Sequence, residues 1–210
     1  VTFAEFISKL SDRLNNQPLP GHAEIVRKMS PNRMRLKGEP NDSTRRSGVL
    51  ILFYPKGEDI LVPLILRPQY DGVHGGQMAF PGGRAELKDK NIQHTALREA
   101  QEEIGIKASD VKVLGNLTEL YIVPSNLLCQ PVLGYINYKP DFYPDAREVA
   151  DILEIPLSVF INPETVQTRQ VETRGYKFET PGFVVDDQIV WGATAMMIAE
   201  LVEIINLLES

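Results

Sequence analysis

The stretch Phe80-Pro81-Gly82-Gly83-Arg84-Ala85-Glu86, followed by Arg98-Glu99-Ala100-Gln101-Glu102-Glu103-Ile104-Gly105-Ile106, decides how this chain folds. Glu99, Glu102 and Glu103 stand at i, i+3 and i+4, so a helix puts their carboxylates on one face. Like charges packed that closely repel, and a folded site keeps them together when divalent cations neutralise them. Carboxylate oxygens in an open, wet geometry suit Mg²⁺ or Mn²⁺, which keep several waters and bridge substrate phosphates. The helix is predicted to start between Asp89 and Asn91, either of which can cap it, and to stop where Gly105 supplies a left-handed residue. Leu97, Ala100 and Ile104 form its apolar stripe, and the small Ala100 lets it approach a sheet closely. Gly82 and Gly83 let the preceding loop take unusual dihedrals and bring a backbone carbonyl near the metal. An isolated run of this kind is ordinarily a solvated helix face. The double glycine upstream and the closing Gly105 argue for a site instead.

This spacing resembles the box that defines the Nudix hydrolases, G-x5-E-x7-R-E-U-x-E-E-x-G-U, where U is a bulky aliphatic residue. The chain reads Gly83-x5-Asp89-x8-Arg98-Glu99-Ala100-Gln101-Glu102-Glu103-Ile104-Gly105-Ile106. Asp89 stands where Glu is expected, one extra residue precedes Arg98, and Ala100 replaces the bulky aliphatic. The extra residue lies ahead of the glutamate core, so Arg98 and the three glutamates keep their mutual register. Asp89 and Glu86 both qualify for the early acidic position. The resemblance implies an α-β-α sandwich with a mixed β-sheet between helices and the box, residues 82–106, as a loop-helix-loop.

Composition is compatible with that answer. A chain of 210 residues suits a single domain with a substantial core, here residues 1–210. A net charge of −6 argues against broad nucleic-acid binding but not against phosphate-bearing ligands, which metals and a few arginines hold. The lone Cys129 has no internal disulfide partner and reads as a buried structural thiol. No long apolar span or signal peptide is visible, so a cytoplasmic location is expected, with no membrane partner.

Thr2-x-x-Glu5 is a capping-box pattern and opens a predicted helix over 3–15. Pro18, Pro20, Pro31 and Pro40 mark residues 17–42 as an irregular arm. Strands are expected over 47–54 and 60–67 as a hairpin, then a glycine-rich loop over 71–76, then the box. One strand over 111–121, a second over 128–138, and a strand or short helix from Glu148 through Phe160 should follow. Strands near 171–178 and 183–185 and a long helix ending near Leu208 complete the chain.

Three further segments resemble the coenzyme A pyrophosphatase branch of the Nudix family. Arg67, Gly76 and Phe80-Pro81-Gly82-Gly83 fall in register on its upstream motif, L-L-T-x-R-[SA]-x3-R-x3-G-x3-F-P-G-G. Pro63, Ile65, Pro68 and Gly72 depart from it, Gly72 in place of the second arginine. Leu120 to Asn126 is similar to the segment after the box. Ile189-Val190-Trp191-Gly192-Ala193-Thr194-Ala195 resembles that branch's last helix start, and Leu19-Pro20-Gly21-His22 its leader.

The resemblance implies Mg²⁺- or Mn²⁺-dependent hydrolysis of coenzyme A or its derivatives to 3′,5′-ADP and a phosphopantetheine. Another nucleoside diphosphate derivative, such as ADP-ribose, is the alternative substrate. A non-catalytic nucleotide-binding module is the alternative from another class, disfavoured because all three box glutamates and Arg98 are kept. By the same resemblance, Glu99 and Glu103 bind metal most directly, and Glu102 and the Gly82 carbonyl share the cluster. Arg98 orients the glutamates, and Arg67 and Gln77 contact the pyrophosphate. The general base is left open between a box glutamate and Glu119, Glu148, Glu172 or Asp186. His74 is loop-borne, and His22 and His94 lack zinc-ligand spacing. Trp191 reads as a core anchor at the helix start, with adenine stacking as its alternative use. Arg45, Arg46, Lys56, Arg174 and Lys177 read as surface charges, with compensation for the missing second arginine as the alternative for any of them. The expected partner is a small nucleotide, not a nucleic acid, and a homodimer is compatible with the sequence.

Overall fold

The computed structural model describes residues 1–30, 38–68, 75–173 and 175–208. The long strand β1 (Arg45–Lys56) is the axis of the main sheet. It pairs antiparallel with β2 (Asp59–Leu66) at its C-terminal end and with β4 (Gly82–Arg84) at its N-terminal end. Along its other edge it runs parallel to β7 (Leu127–Tyr135). The short β3 (Met78–Ala79) and β8 (Asp151–Pro156) pair with β2, while β5 (Lys112–Asn116) and β6 (Leu120–Ile122) pair with β7. One parallel pair among antiparallel ones makes the sheet mixed, as expected.

The alternation along β1 explains the layers. Leu50, Leu52 and Tyr54 point to one face, where they bury Ala96, Ala100 and Ile104 of helix α3 (Ile92–Ile104). Ile51 and Phe53 point to the other, into a cluster with Phe6, Leu10, Met196, Leu201 and Ile204. That second face is covered by α1 (Phe3–Asn16), α2 (Ala23–Met29), α4 (Leu157–Ile161) and α5 (Gly192–Asn206). The result is an α-β-α sandwich. A separate three-stranded sheet lies beside it, formed by β9 (Val166–Thr173), β10 (Tyr176–Val185) and β11 (Gln188–Val190).

Several expected boundaries shift. The arm over 17–42 is not wholly irregular: α2 forms within it, where Ile25 and Met29 at i, i+4 bury one face and Glu24 pairs with Arg27. The single strand expected over 111–121 is broken into β5 and β6. A register shift between Val113 and Gly115 bends the strand, and Leu117 turns inward with its N–H on the Pro131 carbonyl. The strand or short helix expected up to Phe160 is both in turn: β8 over Asp151–Pro156 and then α4 over Leu157–Ile161. Ile189 and Val190, read as the opening of the last helix, belong to β11, and Gly192 at φ 66° makes the turn into α5.

One buried polar cluster was not foreseen. Glu200, fully buried in α5, accepts from the Thr118 N–H at 3.2 Å and lies 3.0 Å from His22 Nε2 at the start of α2. It also accepts from the Thr118 hydroxyl. Burial alone would raise this carboxyl, but the bonds from His22 and Thr118 prevail and hold it below its ordinary value.

Candidate active site

Helix α3 is positioned by its ends. Asn91 caps it, its Oδ1 accepting from the His94 N–H at 2.8 Å, and Gly105 closes it at φ 75° with its N–H on the Gln101 carbonyl. Gly48 lets the helix lie directly on β1, since a Cβ there would press on the Ile92 carbonyl at 2.7 Å. The glutamates therefore face β4 and the double glycine.

Arg98 organises the group. Its Nε and Nη2 form a fork with Asp89 at 2.9 and 3.0 Å. Its Nη1 donates to Glu99 at 2.9 Å and Glu102 at 3.0 Å, and Nη2 also donates to the Arg84 carbonyl at 3.0 Å. All five guanidinium N–H donors are thereby used. Asp89, its side chain 2 % exposed, also accepts from the Thr95 hydroxyl and the Glu86 N–H, and lies 3.0 Å from His94 Nδ1. The Arg98 fork is the main cause that drives the Asp89 carboxyl far below the usual carboxylate range and raises Arg98 in turn. Of the two acidic residues qualified for the early position, Asp89 takes the buried place. Glu86 is exposed, 3.7 Å from Arg98 and paired with Lys88.

Glu103 is 3 % exposed and accepts from the Gly82 N–H at 2.7 Å. Burial pushes its carboxyl up to about 7, against the pull of the Gly82 N–H and the positive Arg67. Burial also raises Glu99. Gly83 lies so close to Glu99 that any Cβ would overlap its carboxylate. Gly82 sits at φ 155°, packed on Gly48 and Val49 of β1. The structure engages Gly82 through its N–H. Glu102 is the outlying member, half exposed.

Arg67 and Gln77 are brought together: the Arg67 N–H donates to the Gln77 carbonyl at 3.1 Å, just past the Leu66–Met78 pair of β2 and β3. Residues 143–150 run from the end of α3 to the end of β2. The Tyr143 N–H bonds the Ile104 carbonyl, Asp145 that of Glu103, and Ala150 that of Leu66. This path carries Glu148 to the site, where its charge acts on both Glu99 and Glu103. The other three acids considered as bases are engaged elsewhere or differently placed. Glu119 pairs with Arg46, Glu172 lies 3.5 Å from Lys177, and Asp186 sits at φ 46° in the β10–β11 turn. Among the other basic residues, Lys56 reaches Glu154 and Arg45 donates to the Ser125 carbonyl. His74, Gly72 and Arg174 lie outside the described residues. Trp191 packs edge-on against Phe178, with centroids 5.6 Å apart.

Among the described residues, no three His, Cys, Asp or Glu side chains already converge as a cation cage. Glu99 is turned to Arg98 and Glu103 to Gly82. The donor set still fits a hard divalent cation: desolvated carboxylates, proton affinity raised by burial and mutual repulsion, beside a backbone stripped of side chains. Among the described residues, no helix is long and apolar enough to cross a membrane.

Comparison with known proteins agrees with this geometry. The NUDIX domain model matches residues 44–145, which include β1, the box and β7. The chain is 34% identical over 165 residues to the protein named "Uncharacterized Nudix hydrolase NudL" of Yersinia pestis (strain Pestoides F). That match spans 79% of this chain and 82% of the relative, and the protein of the same name from Yersinia pseudotuberculosis serotype O:3 (strain YPIII) matches equally. In fold it is similar to the Nudix hydrolase RenU of M. smegmatis, with TM-score 0.55 and 18% identity over 78% of this chain and 86% of that one. It is also similar to a MutT/nudix family protein of Enterococcus faecalis, with TM-score 0.52 and 13% identity over 100% of this chain and 75% of that one. A glutamate-bearing helix closed by Gly105, an arginine that joins its carboxylates, and relatives aligned over four fifths of their length place the chain among the Nudix hydrolases, as a pyrophosphohydrolase.

Proposed function

We propose that this enzyme hydrolyses the pyrophosphate of coenzyme A or its derivatives, within a single domain spanning 1–210. Water adds to one phosphorus, the bridging P–O bond breaks, and 3′,5′-ADP and an (acyl-)phosphopantetheine leave, the water's proton passing to a base. A bound Mg²⁺ or Mn²⁺ would neutralise the pyrophosphate and acidify the attacking water. Glu99 and Glu103 are assigned as its principal ligands, with Glu102 and the Gly82 carbonyl sharing the cluster. Arg98 holds the glutamates in place. Arg67 and Gln77 grip the pyrophosphate. Glu148 takes the role of general base, because it alone of the four outlying candidates is carried beside Glu99 and Glu103, by the turn within residues 143–150.

The observation that carries this reading is the coupling of Arg67 to Glu103. The positive charge of Arg67, from the upstream motif, acts on Glu103, the most deeply buried of the three box glutamates, which supports a single site for phosphate and metal. The choice of coenzyme A rests on the in-register upstream motif. The test is a side-by-side assay of coenzyme A, dephospho-coenzyme A and ADP-ribose with each metal. Recognition of the 3′-phosphate by basic groups should lower kcat/KM for dephospho-coenzyme A roughly tenfold or more. Equal rates on the first two would remove the 3′-phosphate from the recognition scheme. A clear preference for ADP-ribose would replace the assignment with the alternative substrate.

A further inference from the structure

We propose that Trp191 is the platform on which the adenine ring of the substrate stacks. The inference rests on the reading of the substrate as an adenosine diphosphate derivative, and holds for coenzyme A and ADP-ribose alike. Four observations converge on it. Trp191 occupies the N-cap of α5 yet makes no capping hydrogen bond, so the position does not use the polar side chain that a cap favours. Val190, just before it, is fully buried, whereas Trp191 itself is only partly covered.

The contact with Phe178 has the rings at 80°, edge to face. Such a pair fixes both ring planes while covering at most one face of one ring with the other's edge, and Phe178, like Trp191, is only partly buried. Gly192, which follows Trp191, faces open space: its chain neighbours and helix backbone aside, no atom of the described residues lies within 4 Å of where its Cβ would stand.

The position of this junction ties it to the phosphate end of the site. One helical turn into α5, the Thr194 hydroxyl donates to the Met78 carbonyl at 3.2 Å. Met78 pairs with Leu66, and the next residues outward are Gln77 and Arg67, joined through their backbones. β3 therefore starts beside the proposed pyrophosphate contacts and is tied at Met78 to the start of α5. A nucleotide whose diphosphate lies at Arg67 can therefore lay its base over this helix start, which is bonded to the strand next to Gln77. Aromatic stacking suits a purine because it needs a flat face and little else.

Trp191 is the only tryptophan, so intrinsic emission reports this ring alone. The wild-type protein is titrated with 3′,5′-ADP in EDTA, with ribose 5-phosphate as the base-free control. The expected result is saturable quenching by 3′,5′-ADP and none by ribose 5-phosphate. Trp191→Leu should raise KM for coenzyme A and ADP-ribose on the order of tenfold to a hundredfold while kcat is retained, and Trp191→Phe should recover most of the loss. Four results would overturn the proposal: 3′,5′-ADP that inhibits hydrolysis competitively without changing the emission, 3′,5′-ADP that neither inhibits nor quenches, equal quenching by ribose 5-phosphate, or a Trp191→Leu enzyme with wild-type KM. If Trp191→Leu does not fold, the wild-type titration alone decides. Emission is read without turnover, so failure of stacking and failure of the hydrolase assignment are separate results.

Discussion

Arg98 shows why single residues in this site resist exchange. Its five donors meet Asp89, Glu99, Glu102 and the Arg84 carbonyl, a geometry that only a planar fork supplies. Arg98→Lys keeps the charge and loses the fork. The glutamates should then wander, and the Mg²⁺ concentration for half-maximal activity should rise on the order of tenfold to a hundredfold. Glu103→Gln keeps shape and removes a charge. Activity should fall by about a hundredfold or more with the fold intact by circular dichroism, and full turnover at ordinary Mg²⁺ would remove Glu103 from the ligand set. Arg13 offers the opposite case. It is buried in α1, donates through Nη2 to the Pro18 carbonyl, and leaves Nε and Nη1 without a partner. Arg13→Met retains the aliphatic volume and removes two unsatisfied donors, so the melting temperature should stay level or rise.

At the scale of the element, α3 was legible in the sequence because its signals are local. The cap at Asn91, the stop at Gly105 and the stripe of Ala100 and Ile104 all lie within one segment. Asn91→Ala should cost about 1 kcal/mol in chemical denaturation, the typical value of a lost N-cap. What the sequence concealed depends on partners distant in the chain. The helix α2 forms where four prolines argued for an arm, because burial of Ile25 and Met29 outweighs local propensity. The break between β5 and β6 follows from Leu117 seeking the core and Thr118 reaching Glu200, 82 residues away. Glu148 stood level with three other acids in the sequence. It is singled out by backbone bonds to the ends of α3 and β2, which no local pattern announces. Asp89 was legible as a candidate, but its buried fork with Arg98 was not, since the extra residue before Arg98 obscured their register.

For the whole molecule, the buried carboxylates set how stability depends on pH and metal. Glu103 holds its proton more tightly folded, at about 7, than its ordinary value of 4.5. The metal-free protein therefore loses stability from this group as pH climbs through that interval. A divalent cation reverses the loss by holding the ionised form. Differential scanning calorimetry should show a larger rise in melting temperature on adding Mg²⁺ near pH 8 than near pH 5. Glu200 behaves in the opposite sense: its depressed carboxyl contributes stability above the ordinary carboxylate range, lost as pH falls through its folded value. Its bond to His22 spans 178 residues and closes nearly the whole chain into a loop. A closure of that length is entropically late, so the N-terminal arm should dock after the sheet has formed. The segment leading into α2 and the helix α5 are thus a clasp rather than trimmings. Clipping the chain ahead of α2 would leave an ionised group in the interior with only a threonine to answer it, and the far helix would loosen first.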